Sequence, residues 1–176
     1  MATYDKEYDA LLARLTEFKN VAITTADLKE PYKVVGPIMN YLSNMGVYAD
    51  DYAQIKARYA KPPYDQLLIT IAEFTEKNED ACKTAQRLFY GAINRNEEIQ
   101  EFQSELDTAA GICLAQLKLR AAAIGANAVV GVRIETEIDT SAPNLFFIKV
   151  YGTAVSCETL GDKSVVLPMD EQAPLI

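Results

Sequence analysis

Three carboxylates at alternate positions are the clearest candidates for chemistry in this sequence. Glu135, Glu137 and Asp139 are spaced two residues apart, so in a strand their side chains share one face. Hard cations such as Ca²⁺ and Mg²⁺ take several oxygen ligands, and a ring of subunits would multiply the three carboxylates. The alternative is a solvated strand face with a charged end, which is the usual meaning of a short charge run.

The three cysteines, Cys82, Cys113 and Cys157, are the candidates for a soft-metal site, because thiolates select soft metals. Cys113 and Cys82 fall at helical core positions, whereas Cys157, near a strand end, is the one expected to be accessible. A ring of Cys157 thiolates across subunits is one hypothesis, and three small buried hydrophobic residues are the alternative. Their odd number and the lack of CxxC spacing favour reduced thiols over a disulfide framework.

Classical catalytic machinery is missing from the sequence. The chain has no histidine, which removes the commonest general base and the commonest transition-metal ligand. It also has no GxSxG, no Cys–His pair and no P-loop. We therefore expect a protein without enzymatic activity, with no catalytic or cofactor-binding residue assigned. A histidine-free enzyme using Glu or Asp pairs is the alternative, but no such pair is placed across two elements.

Composition limits the class of protein and its partners. The 176 residues are enough for one domain. A net charge of −8 argues against nucleic-acid binding, because phosphate contacts need a basic stripe. No apolar run is long enough for a membrane span, and residues 1–8 lack the apolar region of a secretory signal. We expect a cytoplasmic protein.

Hydrophobic periodicity predicts the elements that position these residues. The pattern predicts a helix over residues 3–19, a short strand over 21–26 and an extended segment over 32–39, which Pro37 confines to a sheet edge or a bulge. Residues 50–60, ending before Pro62, then 65–76 and 80–93 read as further helices. A helix of nearly thirty residues starts after Asn96 and stops at Gly125. Gly111, within it, weakens the helix unless another element approaches closely there.

Two strands follow the long helix, over residues 128–138 and 145–157. In the first, Val130, Val132, Ile134 and Ile138 are predicted to face one way and Arg133, Glu135 and Glu137 the other. In the second, Phe146, Ile148, Val150 and Ala154 share one face, and Leu145, Phe147, Tyr151 and Val155 the other. The second strand is thus apolar on both faces and must be covered on both.

The two-faced strand predicts self-association. The chain offers only three or four strands, and its helices can cover one side of them. The remaining apolar face and the open strand edges then need a partner. Homo-oligomerisation with closed cyclic symmetry is the economical solution. The alternative is that the helices of residues 44–95 fold over the second face.

The motifs GANAVVGV at residues 125–132 and VYGTAV at 150–155, together with the preceding long helix, resemble the YbjQ-like family of small bacterial and archaeal proteins, which is labelled heavy-metal-binding. A weaker match covers residues 21–25 and 32–37. The resemblance implies a small α+β fold in which a helix packs on an antiparallel sheet. It also implies association of the subunits into a ring, typically a pentamer.

We therefore predict an α+β fold with a small antiparallel sheet of three to four strands packed on a long helix. The chain is divided into a YbjQ-like core (21–43 and 96–158), a helical insertion (44–95), an N-terminal helix (1–20) and a tail (159–176), all in one domain. The function predicted is a YbjQ-like, non-enzymatic homo-oligomer with a metal ion or small ligand at its subunit interfaces. The alternative is a monomeric or dimeric interaction module, in which the insertion covers the sheet and presents a groove to a partner.

Overall fold

A four-stranded sheet and two helices make up the described part of the protein. The computed structural model describes residues 21–70, 74, 97–139 and 144–160. The strands are β1 (Ala22–Ile23), β2 (Lys33–Ser43), β3 (Ala128–Ile138) and β4 (Phe146–Ser156), and the helices are α1 (Ala49–Tyr59) and α2 (Glu97–Ala123). Short 3-10 helices lie at Gly46–Tyr48, Tyr64–Leu67 and Glu158–Leu160. The predicted helices over 3–19 and 80–93, and the tail beyond residue 160, lie outside the described residues.

The sheet has the strand order β1-β3-β4-β2 and is mixed. The pairs β2–β4 and β3–β4 are antiparallel, as predicted, whereas β1 runs parallel to β3. A parallel pair needs a long crossover connection, and the chain between β1 and β3 includes both described helices. The predicted α+β class, with a small sheet packed on a long helix, is confirmed. Pro37 lies in β2, which is an edge strand, as its missing N–H requires.

Helix α2 is the centre of the structure. Residues 109–117 are all buried, so this part of the helix is covered on every side rather than along one stripe. The helix ends in a Schellman motif, in which Gly125 has φ 77°. Its N–H donates to Ala122 O (3.0 Å), and the N–H of Ala126 donates to Ala121 O (2.9 Å). The predicted glycine stop is therefore confirmed.

A β-bulge at Gly131 changes which face of the sheet some side chains of β3 occupy. The prediction that Val130 shares a face with Val132 and Ile134 is wrong. Val130 packs with Ala128 and Val155 in a small separate cluster, whereas Val132 and Ile134 belong to the main core. The register shifts between Val130 and Arg133, and Gly131 adopts a φ of 62°. The extra residue of the bulge changes which side chains face the helix.

Strand β4 has two apolar faces, as predicted. Phe146, Ile148, Val150 and Ala154 are fully buried in the main core. The opposite face, called the outer face below, carries Phe147, Lys149 and Tyr151, which are half-buried. Tyr41 of β2 stacks on Phe147 there, with ring centroids 5.7 Å apart. Only the end near Val155 is covered from within the described chain, by Leu28 and Tyr32.

The described part of the insertion packs on the helical side of the sheet. Tyr52, Ile55 and Tyr59 of α1 belong to the same core as α2. The predicted end of this helix before Pro62 is confirmed, since α1 ends at Tyr59. The predicted helix over 65–76 is wrong at residues 68–70, which follow a 3-10 turn without helical structure. The extended chain there brings the Ile69 carbonyl against α2 at Gly111.

No helix among residues 21–70, 97–139 and 144–160 is long and apolar enough to cross a membrane.

Gly111→Ala should destabilise the protein, although alanine favours helix by about 1 kcal/mol. An added Cβ would lie 2.7 Å from Ile69 O, so the two backbones must separate. We expect a loss of about 1–3 kcal/mol in the free energy of unfolding, measured by urea denaturation at fixed protein concentration. Gly36→Ala is the control, because no atom lies within 4 Å of its added Cβ. Equal or greater stability of Gly111→Ala would contradict the close approach.

Candidate functional site

The predicted carboxylates lie at one end of the sheet. Glu135 and Glu137 are exposed on β3, and Asp139 follows the end of that strand. Register places Glu135 opposite Lys149 and Glu137 opposite Phe147, which puts both glutamates on the outer face. The backbone N–H of Asp139 donates to Leu145 O at 3.0 Å, closing the turn into β4. The predicted sharing of one face is therefore correct for the two glutamates.

Glu135 already has two partners on this face. The Tyr151 hydroxyl donates to Oε1 at 2.7 Å, and Lys149 Nζ lies 3.4 Å from Oε2. The hydrogen bond from Tyr151 is the main reason that the pKa of Glu135 is lowered, and the same bond raises the pKa of Tyr151. The carboxylate is thus held in its charged form, in which it binds cations.

Cys157 does not lie with the carboxylates, and the expectation that it is accessible is wrong. Its side chain is 0% exposed, and Sγ lies 3.5 Å from Pro31 O. Asn127 fixes its backbone, accepting from the N–H (2.8 Å) and donating to the carbonyl (2.7 Å). Lys149 lies in β4 and Cys157 directly follows that strand, so the eight residue steps between them span about 26 Å. A thiolate ring of Cys157 therefore has no exposed sulfur from which to form.

Cys113 is buried in the core on α2, as the sequence predicted. Burial raises the pKa of its thiol to about 12, and an Asn40 hydrogen bond opposes that effect only in part. A thiol with so high a pKa is a poor nucleophile and a poor metal ligand. Cys82 lies outside the described residues.

A metal centre within one chain is not formed by the residues the structure describes. Among them, no group of three or more His, Cys, Asp or Glu side chains is arranged to hold a metal ion. The assignment of Glu135, Glu137, Asp139 and Cys157 as ligands stays a prediction. For the carboxylates it depends on ligands from a second subunit.

A cleft of about 290 Å³ between α1, α2 and β2 was missed by the sequence reasoning. Its walls combine polar, charged and aromatic groups from all three elements: Asn40, Tyr41, Leu42, Ser43, Tyr48, Asp51, Tyr52, Ile55, Gln116 and Arg120. Asn40 Nδ2 donates to Gln116 Oε1, which joins the β2 wall to the α2 wall. Both amides are buried, at 4% and 8% exposure.

Neighbouring hydrogen bonds fix the walls of the cleft. Arg120 Nη1 donates to Met39 O at 3.2 Å, at the free edge of β2. The Tyr52 hydroxyl donates to Glu105 Oε1 at 2.6 Å, and Lys56 forms an ion pair with the other oxygen of the same carboxylate. Burial, followed by the bond to Glu105, raises the pKa of Tyr52 well above its usual range. Tyr52 is therefore a neutral hydrogen-bonding group in the cleft.

A signal for the cleft was present in the sequence. Asn40 lies between Ile38 and Leu42, one residue beyond the extended segment predicted over 32–39, and Gln116 lies in the most apolar part of the long helix. Polar side chains at core positions are usually hydrogen-bonded to each other or to a ligand. Which of these polar side chains contact each other depends on how the helix packs on the sheet, and the sequence pattern does not reveal that packing.

In a Cys82→Ser background, Cys113 and Cys157 should react very slowly with iodoacetamide in the native protein. At about pH 8, a thiol with the pKa of Cys113 is ionised in roughly one molecule in ten thousand, and burial blocks access to Cys157. Site-resolved mass spectrometry gives both rates, with an exposed Asp50→Cys substitution as the reference thiol. Both buried cysteines should become reactive in urea. Native labelling of Cys157 at the reference rate would contradict its burial.

Comparison with known proteins supports the resemblance read from the sequence. Residues 90–158 match the model of the YbjQ family, whose description is "Putative heavy-metal-binding". A crystal structure of a DUF74-family protein with unknown function from Pediococcus pentosaceus ATCC 25745 is 14% identical, and the alignment covers 78% of this chain and 98% of that one, with a TM-score of 0.43. The resemblance is confirmed over residues 90–158, which match the model of that family.

Proposed function

We propose that the protein is a non-enzymatic homo-oligomer whose subunits associate through the outer face of the sheet. It binds a metal ion or a small ligand at the subunit interfaces. The observation that carries the proposal is the aromatic and apolar surface on the β2 side of that face. Met39 and Tyr41 are 52% and 47% exposed there, beside the half-buried rings of Phe147 and Tyr151.

The outer face divides into an apolar side and a charged side. Register forms rows across the sheet, of which Met39–Tyr151–Arg133 and Tyr41–Lys149–Glu135 are two. Each row runs from an exposed apolar or aromatic residue on β2 to a charged residue on β3. Aromatic residues and methionine are enriched in protein interfaces, whereas charges collect at the rim. An interface centred on β2 would therefore leave the carboxylates of β3 at its rim.

The edge of the sheet also favours assembly. Strand β2 is eleven residues long and forms one edge of the sheet. A long edge strand presents unpaired backbone groups that a second chain can pair with. A contact between two different surfaces closes into a ring when its rotation permits. The ring implied by the family resemblance, typically a pentamer, is our preferred form.

The alternative of a monomeric or dimeric interaction module needs the insertion to cover the outer face. In the described part of the insertion, α1 packs against α2 and the inner side of β2. Because α1 lies on the opposite side of the sheet, it does not cover the outer face. This placement favours self-association over the module.

A cytoplasmic location is part of the proposal. Cys113 is buried as a thiol, and the lack of CxxC spacing in the sequence favours reduced cysteines, which fits a reducing compartment.

Met39→Lys and Tyr41→Lys should each reduce the mass of the particle in solution. A lysine at either position puts a charge in the proposed interface, where an unpaired buried charge is costly. Size-exclusion chromatography with light scattering should show a closed oligomer for the wild type and smaller species for both variants. Ile124→Lys is the control, because Ile124 is a similarly exposed apolar residue (46%) just beyond the end of α2. A monomeric wild type at micromolar concentration would overturn the proposal.

Metal bound to the oligomer should depend on the β3 carboxylates. After incubation with Ca²⁺, Mg²⁺ or Zn²⁺ and desalting, metal content is measured on the same chromatographic peak. We expect the combined Glu135→Gln, Glu137→Gln and Asp139→Asn variant to lose the bound ion without losing mass, because amides bind hard cations more weakly than carboxylates.

The matched control removes three exposed carboxylates elsewhere, with Asp50→Asn, Asp65→Asn and Glu158→Gln. It has the same net charge as the test variant, so non-specific attraction of cations falls equally in both. Retention of the ion by the test variant, or an equal loss in the control, would reject the carboxylates as ligands. If the wild-type protein binds no metal, metal binding is rejected and the small ligand at the subunit interfaces is retained as the proposal.

A further inference from the structure

We propose that the cleft between α1, α2 and β2 is a binding site for a small organic carboxylate with a flat apolar body. All groups of the site come from one subunit, although Tyr41 and the edge of β2 also belong to the proposed interface. The carboxylate would be held by Arg120, and the apolar body would lie among the tyrosines of the cleft.

The charge of Arg120 carries the argument. Its guanidinium is half-buried and donates to the Met39 carbonyl through Nη1. Within the described ranges, no carboxylate lies within 4.0 Å of it. A guanidinium has five N–H donors in a planar fork that matches a carboxylate. Arg120 therefore brings to the wall of the cleft further N–H donors and a charge that has no ion-pair partner among the described residues.

The backbone edge of β2 adds hydrogen-bonding groups beside Arg120. Because Met39 O accepts a bond from Arg120, it points away from β4. Alternation along a strand then directs the N–H and C=O of Tyr41 to the same edge. Tyr41 also lines the cleft, so its backbone donor lies on the same edge as the Arg120 contact.

The buried amide pair indicates a polar recognition function at the same wall. Asn40 and Gln116 bond to each other across the boundary between the sheet and α2, at positions where an apolar pair would fill the core more simply. Polar groups that line a cleft fix the orientation of a bound ligand. A polar substituent on the ligand would meet them.

Size and lining select the class of ligand. A volume of about 290 Å³ is at the lower end for small-molecule sites, and suits a single ring with one or two substituents. Tyr48 and Tyr52 line the cleft from the α1 side, and Tyr48 contacts the Tyr41 ring edge-on at 6.3 Å. Aromatic walls favour a flat apolar body.

Asp51 places a negative charge in the same cleft as the positive charge of Arg120. It lines the same cleft in the first turn of α1, where its negative charge opposes that of a bound carboxylate. Removing Arg120 and removing Asp51 should therefore change affinity in opposite directions. General damage to the cleft would weaken binding in both variants.

Benzoate is the probe, and benzamide is its neutral analogue. Saturation-transfer-difference NMR on the full chain measures weak binding whatever the oligomeric state. At low ionic strength we expect saturable benzoate binding, and benzamide should bind much more weakly. Arg120→Gln should weaken benzoate by about tenfold or more, because charge-assisted hydrogen bonds are lost. Asp51→Asn should strengthen it about two- to fivefold.

Arg133→Gln is the matched control, since it removes the same charge from an exposed position on β3. It should leave benzoate binding unchanged. The proposal is overturned if benzoate shows no saturable binding at millimolar concentration, or if benzamide binds equally well. It is also overturned if Arg133→Gln weakens binding as much as Arg120→Gln, or if Asp51→Asn weakens it.

Discussion

The middle of α2 is completely buried, and its packing dictates how the other elements are arranged. Residues 109–117 have no exposed side, so the helix needs the sheet against one flank and further chain against the other. Phe146, Ile148 and Val150 of β4 supply the first cover, and α1 with the segment around Ile69 supplies the second. Gly111 permits the second contact, because only a residue without a Cβ admits the Ile69 carbonyl.

This arrangement explains why the insertion is a structural part of the protein rather than an appendage. The aromatic residues of α1 complete the core around α2: Tyr52 packs edge-on against Phe146 at 5.4 Å, and Tyr59 is almost fully buried. The same packing creates the cleft, since α1 stands beside the edge of β2 without closing over Asn40 and Gln116. The helical layer thus combines core formation with a surface where the buried Asn40–Gln116 pair and the Arg120 guanidinium meet.

The helical layer also leaves the two faces of the sheet unequal. The inner face is filled by the core, whereas most of the outer face has no cover among the described elements. A face that carries Met39, Tyr41 and Phe147 beside a long edge strand has the composition of an interface. The two proposed activities therefore meet at Tyr41 and the edge of β2: assembly uses the outer face, and recognition of a small carboxylate uses the cleft on the helical side.

The amino-acid sequence predicted those elements that have strong periodicity and clear ends. It gave α2 with its stop at Gly125, the residue range 128–138 of β3, and the two apolar faces of β4, because side-chain alternation, helical spacing and glycine caps are local properties. Features that depend on contacts between distant residues became visible only in the folded chain. The bulge at Gly131 moved Val130 to the other face, and the loop carrying Pro31 buried Cys157. The hydrogen bond between Asn40 and Gln116 joins residues 76 positions apart in the sequence. Contacts between such distant residues are set by packing and strand register, which no local sequence pattern encodes.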